Sequence, residues 1–476
     1  MDQVGRMSDY DFAVIGGGSA GYAAARTAAS LGLKTIVLDG GKEVGGLCIL
    51  RGCMPSKSLI ESANRYRAFG QAREFGLRVT DFSYDATEII TRKRRLIGEF
   101  ADYRREQLET GKFEFVRGKA SFLDAKTLHV DLLDGTTRTI TTRSAIVATG
   151  SVVNVPSVPG LAESGAWTSD DVLELTAIPP SLIVLGAGPV ALEMAHYFAS
   201  LGTKVTIIQR SSQLLTGVDP DVANELERAL RDRGVKIHTG TALAKVEREG
   251  EVRRVVFEKD GTTHTVEAPA LLNALGRRPN LASLGLEKAG IAVEGHHIAA
   301  SATQQTSAPH IFAAGDCCGP YEVVHIAIEQ AELAVRNAVK VLNGSGALEK
   351  MDYRLKLYAV FTEPQVAAVG LSEAEAAAQG VEYLTATYPF NDHGKSLIMD
   401  ELHGFVKLIV EKNTREIIGA SVVGPHASDL IEEVVVAMRF RATAGQFALI
   451  PHYHPTLCEI WTYPASDLAE DASVGS

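Results

Sequence analysis

The chain has 476 residues, 46% of them hydrophobic and 22% charged, with a formal net charge of -11. That length suggests two to four domains with a large core, and the acidic balance argues against nucleic acid or an anionic membrane as a main partner. No apolar run approaches the roughly 20 residues of a membrane span, and the opening MDQVGRMSDY lacks a signal peptide's apolar stretch, so the cytoplasm is the expected compartment.

In chain order, a short polar tail precedes Asp11 to Gly21, DFAVIGGGSAG, which reads as an apolar strand, a turn through Gly16, Gly18 and Gly21, and an Ala-rich helix. Such glycines permit a tight turn and close approach of the backbone to a pyrophosphate, which the helix N-terminus favours. A second strand, Lys34 to Leu38, ends in Asp39, at the distance expected for an acid that binds a ribose. A turn serving only helix packing would leave Asp39 unexplained.

Next comes GGLCILRGCMPSK, Gly45 to Lys57, with Cys48 and Cys53 separated by four residues. A regular helix rises about 1.5 Å per residue, which would carry the two Cα atoms beyond the roughly 4.4–6.8 Å that a disulfide tolerates. The loop is therefore expected to be irregular, with Gly45, Gly46 and Gly52 supplying freedom and Pro55 in the first turn of a helix. A helix N-terminus, Arg51 and Lys57 would all lower a thiol pKa. Spacing alone leaves an inert buried pair open, although in a reducing compartment a pair of this kind is catalytic more often than structural.

A charged helix is expected from about Tyr84 to Thr110, with the basic run Arg92-Lys93-Arg94-Arg95 as a solvated face. Short alternating segments follow, Phe113 to Phe122 and Thr127 to Val130, with a hairpin signal at Asp134-Gly135. Ala145 to Ser151, AIVATGS, reads as a buried strand ending in a small-residue turn that includes Gly150, and a linker follows around Pro156 to Gly160.

The dinucleotide pattern recurs in LIVLGAGPVALE, Leu182 to Glu193, with Gly186 and Gly188 at the turn and Ala191 in the third position. Gln209 falls where Asp39 fell, and Arg210 follows it. An arginine there can pair with a 2′-phosphate, which tilts the second site towards NADP(H), while Gln209 could still serve the ribose of NAD. LNALGRRPN, Leu272 to Asn280, closes this lobe, and IFAAGD, Ile311 to Asp316, is a buried strand whose final acid could hold a ligand hydroxyl or cap a turn. From Met351 onwards a third compact unit is expected.

Taken in this order, the CxxxxC with PSK, the repeated nucleotide motif and IFAAGD resemble the pyridine nucleotide-disulfide oxidoreductases of the glutathione reductase group, over nearly the whole chain. HYHPTLCE, His452 to Glu459, looks most like the HxHPTxxE signature of the dihydrolipoamide dehydrogenases within that group. The resemblance implies an α/β fold with two Rossmann-like dinucleotide-binding domains and a C-terminal α+β dimerisation domain. The expected boundaries are 1–155 with 285–350 for FAD, 156–284 for NAD(P) and 351–476 for the interface. It implies a redox disulfide in which Cys53 faces the flavin and Cys48 meets the substrate. Gly16, Gly18, Gly21, Asp39, Gly150, Asp316 and His325 would serve FAD. Lys57 and Glu193 would pair beside the flavin N5, with Gly186, Gly188, Arg210 and Arg277 around the nicotinamide nucleotide. His454 would be the acid/base, oriented by Glu459 and reaching the disulfide of the other subunit of a homodimer; no metal site is implied.

The implied substrate is a small dithiol or disulfide, or a lipoyl-bearing protein. The ending AEDASVGS lacks the vicinal cysteines usual in mercuric reductases, and the serine of PSK differs from the lysine usual in glutathione reductases. An NADPH-dependent reductase of a metal ion or of another small disulfide is the rival reading, prompted by Arg210 and by Cys317 with Cys318. A flavin redox sensor without turnover is a third, prompted by the departures at Leu47 to Arg51. Arg51 itself has no evident role, and Cys458 reads as a serine substitute.

Overall fold

The computed structural model describes residues 8–470; the polar N-terminal tail and the last six residues, including most of the ending that lacks a cysteine pair, lie outside the described residues. The chain divides into two compact units. One comprises the chain up to Ser56, Thr91–Asn154 and Arg277–Asp352, and the other Lys57–Ile90, Val155–Gly276 and the chain from Tyr353 onwards.

In the first unit the apolar run before the glycines becomes the central strand Tyr10–Ile15, flanked in parallel register by Thr35–Asp39 and by the end of Thr137–Val147. Ile311–Ala313 adds to the latter strand, and Glu114–Phe122 to Thr35–Asp39, both parallel. The central strands Tyr10–Ile15, Thr35–Asp39 and Ile311–Ala313 are buried on both faces, as a parallel sheet requires. One face packs against the alanines of helix Ser19–Ser30 and those of helix Val324–Asn343, and the other carries Ile15, Leu38, Val147 and Ile311 into a second core. Glu114–Phe122, Thr127–Leu132 and Thr137–Val147 continue as an antiparallel meander whose last turn holds Asp134 and Gly135, as their dipeptide predicts.

The second unit repeats the plan with a four-stranded parallel sheet in which Ser181–Leu185 lies between Ala270–Asn273 and Lys204–Ile208, with Lys236–His238 outermost. An antiparallel sheet of Ala242–Glu249, Val252–Lys259 and Thr262–Ala268 is appended. The chain beyond Tyr353 forms a five-stranded antiparallel sheet with its own core, built from residues such as Val406, Leu408, Val422, Ile431 and Trp461.

Two packing relations extend the expected plan, and one expectation is altered. The stretch Lys57–Ile90 groups with the second unit because Leu59, Ile60, Ala63 and Ile90 enter the core of Leu192, Tyr197 and Phe198. The region after Met351 has its own sheet and core, and its buried Lys407 on Phe405–Glu411 bridges Asp219 and Asp221 with Glu373. The basic run lies on helix Ala86–Glu109, where the three arginines are exposed but Lys93 is buried, so it is not wholly a solvated face.

Candidate active site

The first glycine turn is shaped by near contacts that leave no room for side chains. A Cβ on Gly21 would lie 1.8 Å from the Gly16 carbonyl oxygen, and one on Gly16, whose φ is +111°, would lie 2.3 Å from that of Ala148. Gly18 caps helix Ser19–Ser30 without a side-chain bond, so its first-turn amides remain available to an anion. Asp39 ends its strand with Oδ1 accepting the Gly41 amide at 3.0 Å. A pyrophosphate at the turn and a ribose at Asp39 fit these residues, which is the donor set that an ADP moiety needs.

The cysteine stretch breaks into two helices, Gly46–Leu50 and Cys53–Gly70, interrupted at Arg51 and Gly52. The break that spacing demands is therefore present. Cys48 is half-buried within the first helix and Cys53 is exposed at the start of the second. A Cβ on Gly52 would lie 3.1 Å from the Leu47 carbonyl oxygen and 3.2 Å from the Cys48 Cα, so the chain doubles back closely here. Gly46, at φ +75°, is pressed against Gly18, where an added Cβ would stand 2.5 Å from its Cα. This contact fixes the cysteine helix against the first dinucleotide turn. Arg51, which the sequence left without a role, reaches Glu43 at 3.5 Å across an exposed surface.

Within the second unit, Lys57 donates to both carboxylate oxygens of Glu193, at 2.8 and 2.7 Å. Glu193 is only 4% exposed; it also accepts the Phe361 amide at 3.1 Å, and the Lys57 ammonium lies 4.6 Å from the Phe361 ring centroid. Phe361 is a residue that the sequence reading missed. Its role comes from a backbone amide, which no side-chain pattern reports. The second dinucleotide turn has Gly186 at φ +100° close to the Ala274 carbonyl, Gly188 capping helix Pro189–Ser200, and Ala191 buried. Arg210 is exposed just beyond Lys204–Ile208, and Gln209 is half-buried.

Asp316 follows strand Ile311–Ala313 and accepts a 2.6 Å hydrogen bond from the Ser151 hydroxyl. Gly150 adopts φ +66° beside it in sequence, and His325 is the exposed second residue of helix Val324–Asn343. Arg277 opens a short strand beside the Asp316 site. Strand Arg277–Pro279 pairs antiparallel with Ser151–Val153 in the first unit, which commits the guanidinium to the Ser151 hydroxyl and carbonyl at 2.8 and 2.9 Å.

The two histidines of HYHPTLCE are separated by their surroundings. His452 is nearly buried, bonded through Nδ1 to the Ile450 carbonyl and through Nε2 to Glu433 at 2.6 Å. His454 is 77% exposed, and its Nδ1 meets both oxygens of Glu459 at 3.1 and 3.0 Å. Glu459 also lies 3.4 Å from Nε2 of buried His393, whose basicity burial depresses against the pull of that carboxylate. His393 was not anticipated, being sixty residues away in sequence. Cys317 is fully buried with its thiol directed at the Val147 and Ala314 carbonyls, while burial and its neighbour's hydrogen bond raise the pKa of Cys318. Cys458 is exposed, its thiol pushed up by partial desolvation and by Glu433.

Among the described residues no helix is long and apolar enough to cross a membrane. The family model for pyridine nucleotide-disulphide oxidoreductase matches residues 10–331, and that for the dimerisation domain of the same enzymes matches residues 357–465. The dihydrolipoyl dehydrogenase of Chlamydia muridarum is 34% identical over 459 residues, covering 96% of both chains. The mercuric reductase of Staphylococcus aureus is 33% identical over 441 residues, covering 92% of this chain and 78% of its own. Among solved structures, LpdA from Mycobacterium tuberculosis superposes with a TM-score of 0.85 at 29% identity, covering 96% of this chain and 99% of its own. Together with two glycine turns and a paired-cysteine stretch in the expected order, these matches show that the chain belongs to the pyridine nucleotide-disulphide oxidoreductases, flavoprotein enzymes that act on dithiols and disulfides.

Proposed function

We propose that this oxidoreductase passes two electrons between a nicotinamide nucleotide and a dithiol/disulfide substrate through Cys48 and Cys53, and that its substrate is dihydrolipoamide or a lipoyl-bearing protein. The observation that carries this reading is the His454–Glu459 pair. Glu459 accepts the Nδ1 proton, leaving Nε2 of an exposed ring to accept one from a substrate thiol. A dithiol attacks only as thiolate, so a base positioned to take the thiol proton lowers the barrier.

In the dithiol-oxidising direction His454 takes the proton of one substrate thiol and Glu459 stabilises the resulting imidazolium. The thiolate attacks Cys48 of the Cys48–Cys53 disulfide, forming a mixed disulfide and releasing Cys53 as thiolate. The second substrate thiolate then attacks the mixed disulfide, releasing oxidised substrate and leaving Cys48 reduced. Gly16, Gly18, Gly21, Asp39, Gly150, Asp316 and His325 would hold FAD, which when bound would supply two-electron exchange between the cysteine pair and the nucleotide. Lys57 and Glu193, paired with each other, would serve the flavin, and Gly186, Gly188, Arg210 and Arg277 would hold the nucleotide. The protein works in the cytoplasm as a homodimer in which His454 serves Cys48 of the partner subunit. Exposed Tyr453, Leu449 and Phe440 beside that histidine in sequence or on the same C-terminal region support an interface there.

Steady-state turnover with dihydrolipoamide and each nucleotide tests the reading, and negligible turnover with both NAD and NADP overturns it. Exposed Arg210, with no carboxylate at the Gln209 position, favours NADP(H), so kcat/KM is expected to be higher for that nucleotide. Reduction of a mercuric ion with NADPH, in the absence of lipoamide turnover, would instead support the metal-ion reading that the S. aureus relative prompts.

A further inference from the structure

Glu459 has a second imidazole beside it. His393 lies outside every motif, between the short turn Phe390–Asp392 and helix Gly394–Met399. Its backbone is held on both sides, the amide donating to the Phe390 carbonyl at 3.1 Å and the carbonyl accepting the Leu397 amide at 3.0 Å. The side chain is fully buried, and its two nitrogens meet different neighbours. Nδ1 is 2.9 Å from the Ser396 hydroxyl, and Nε2 is 3.4 Å from Oε1 of Glu459. That oxygen also lies 3.1 Å from Nδ1 of His454, so one carboxylate stands between an enclosed ring and an open one.

These neighbours decide where the proton of a neutral His393 ring sits. With the proton on Nδ1, the lone pair of Nε2 would face a carboxylate oxygen, two acceptors with no proton between them. With Ser396 donating to Nδ1, the proton is on Nε2 and faces Glu459, which serves both nitrogens. At 3.4 Å this contact is longer than a formed hydrogen bond, and Nε2 is buried with no other partner among the described residues. Hydrogen bonds of this kind commonly tighten once substrate is in place. A neutral donor suits the position, because a cation there would compete with the His454 imidazolium for the same carboxylate.

The remaining ionisable groups nearby are engaged elsewhere. Tyr463 meets the His393 ring edge-on at 6.5 Å and stacks on Tyr388 at 3.9 Å. Tyr388 donates to Asp392, and burial, Asp392, Tyr463 and Asp467 push its pKa up to about 12, so it adds no charge near neutrality. Glu433 is taken by His452, and burial with Glu433 pushes the Cys458 thiol up.

We infer that His393 is a positioning residue for the reaction: with its proton on Nε2 it holds the Glu459 carboxylate turned towards His454, so that the open ring keeps its tautomer and its counter-charge as it takes a substrate proton. The inference rests on the reading of His454 as the acid/base.

The test is the titration of His454 in the holoenzyme, followed by NMR with isotope-labelled histidine, its signal being the one lost in His454→Gln. His393→Leu frees the carboxylate to swing away, so the imidazolium is less stabilised and the His454 midpoint is expected to fall by about half a pH unit. FAD is expected to be retained, with kcat for dihydrolipoamide reduced by about threefold to tenfold and KM little changed. His393→Gln, whose amide can donate to Glu459 from a similar place, is expected to restore most of both losses. Ser396→Ala, which removes the donor that fixes the His393 tautomer, is expected to shift the midpoint the same way by less, and it carries the test if His393→Leu does not fold. An unchanged midpoint in His393→Leu, or in Ser396→Ala where the former is unstable, overturns the inference. A rise overturns it too, since His393 would then act by drawing charge from Glu459. Absence of wild-type turnover with dihydrolipoamide would count against the proposed substrate and leave the titration to decide the inference, whereas full turnover by His454→Gln would overturn the acid/base reading.

Discussion

Gly46 joins the two chemistries of the first unit through a contact of backbones. Any side chain there must adopt φ +75° and push against the Gly18 Cα, which no rotamer relieves. Gly46→Ala is therefore expected to loosen the dinucleotide turn and the cysteine helix together, by roughly 1–3 kcal/mol. The measurement is the FAD-to-protein ratio after gel filtration, and full retention would contradict the role given to this contact. At the other end of the chain, His454→Gln removes the acceptor while leaving a polar side chain of similar length. Its kcat with dihydrolipoamide should fall by about 10²–10⁴-fold with FAD retained, whereas His452→Gln, which severs only the Glu433 contact, should cost far less in kcat. The resemblance of HYHPTLCE singled out His454, but why His452 is closed was not legible there. That depended on Glu433, a residue of helix Ala427–Arg439.

Helices and strands carry buried charges whose effects are readable as stability. Lys407 is 1% exposed and bonded to Asp219, Asp221 and Glu373 at 2.8 Å each. Burial pulls its pKa down, but the three carboxylates outweigh that and hold it above the ordinary lysine value of 10.5. Because the folded pKa is the higher one, the stabilisation is complete below the unfolded pKa and is lost as pH rises through the folded value, so neutral-pH stability should be insensitive to it. Lys407→Met leaves three acids facing one another and is expected to cost about 3–5 kcal/mol in urea unfolding at pH 7. His196 shows the opposite sign. Helix Pro189–Ser200 buries it with Nε2 2.7 Å from the Asn64 side-chain oxygen, and desolvation, with Arg233 and Arg67 nearby, lowers its pKa to about 3. Protons then bind the unfolded chain more readily than the folded one, so this contribution is present above pH 6.5 and declines as pH falls towards 3. His196→Gln should flatten that part of the stability-versus-pH curve, and an unchanged slope would show that other groups dominate it.

For the whole molecule, the decisive question is whether one active site draws on two chains. The chain carries the dimerisation domain of its family at residues 357–465. If His454 serves the partner's Cys48, two variants that are each inactive, Cys48→Ser and His454→Gln, should complement after subunit exchange. Half the dimers in an equal mixture are mixed, and each of these has one intact site of two, so activity should return to about a quarter of wild type. No recovery, with mixed dimers demonstrated by mass spectrometry, would place the acid/base and the cysteines on the same subunit or remove His454 from the mechanism.

The sequence by itself determined what local rules control. Gly16, Gly18 and Gly21, the break between Cys48 and Cys53, and the recurrence of the pattern at Gly186 and Gly188 all follow from backbone freedom and spacing over a dozen residues. These were enough to indicate two nucleotide sites and a redox stretch. Tertiary structure decided what depends on neighbours distant in the chain: Lys57–Ile90 packing with the second unit, Arg277 turning to Ser151, Lys93 becoming buried, and His454 remaining open while His452 is closed. It also brought His393 to Glu459, sixty-six positions away. The reason is physical: a pattern fixes which conformations a segment can adopt, whereas burial and electrostatic environment are properties of the groups that folding assembles around it.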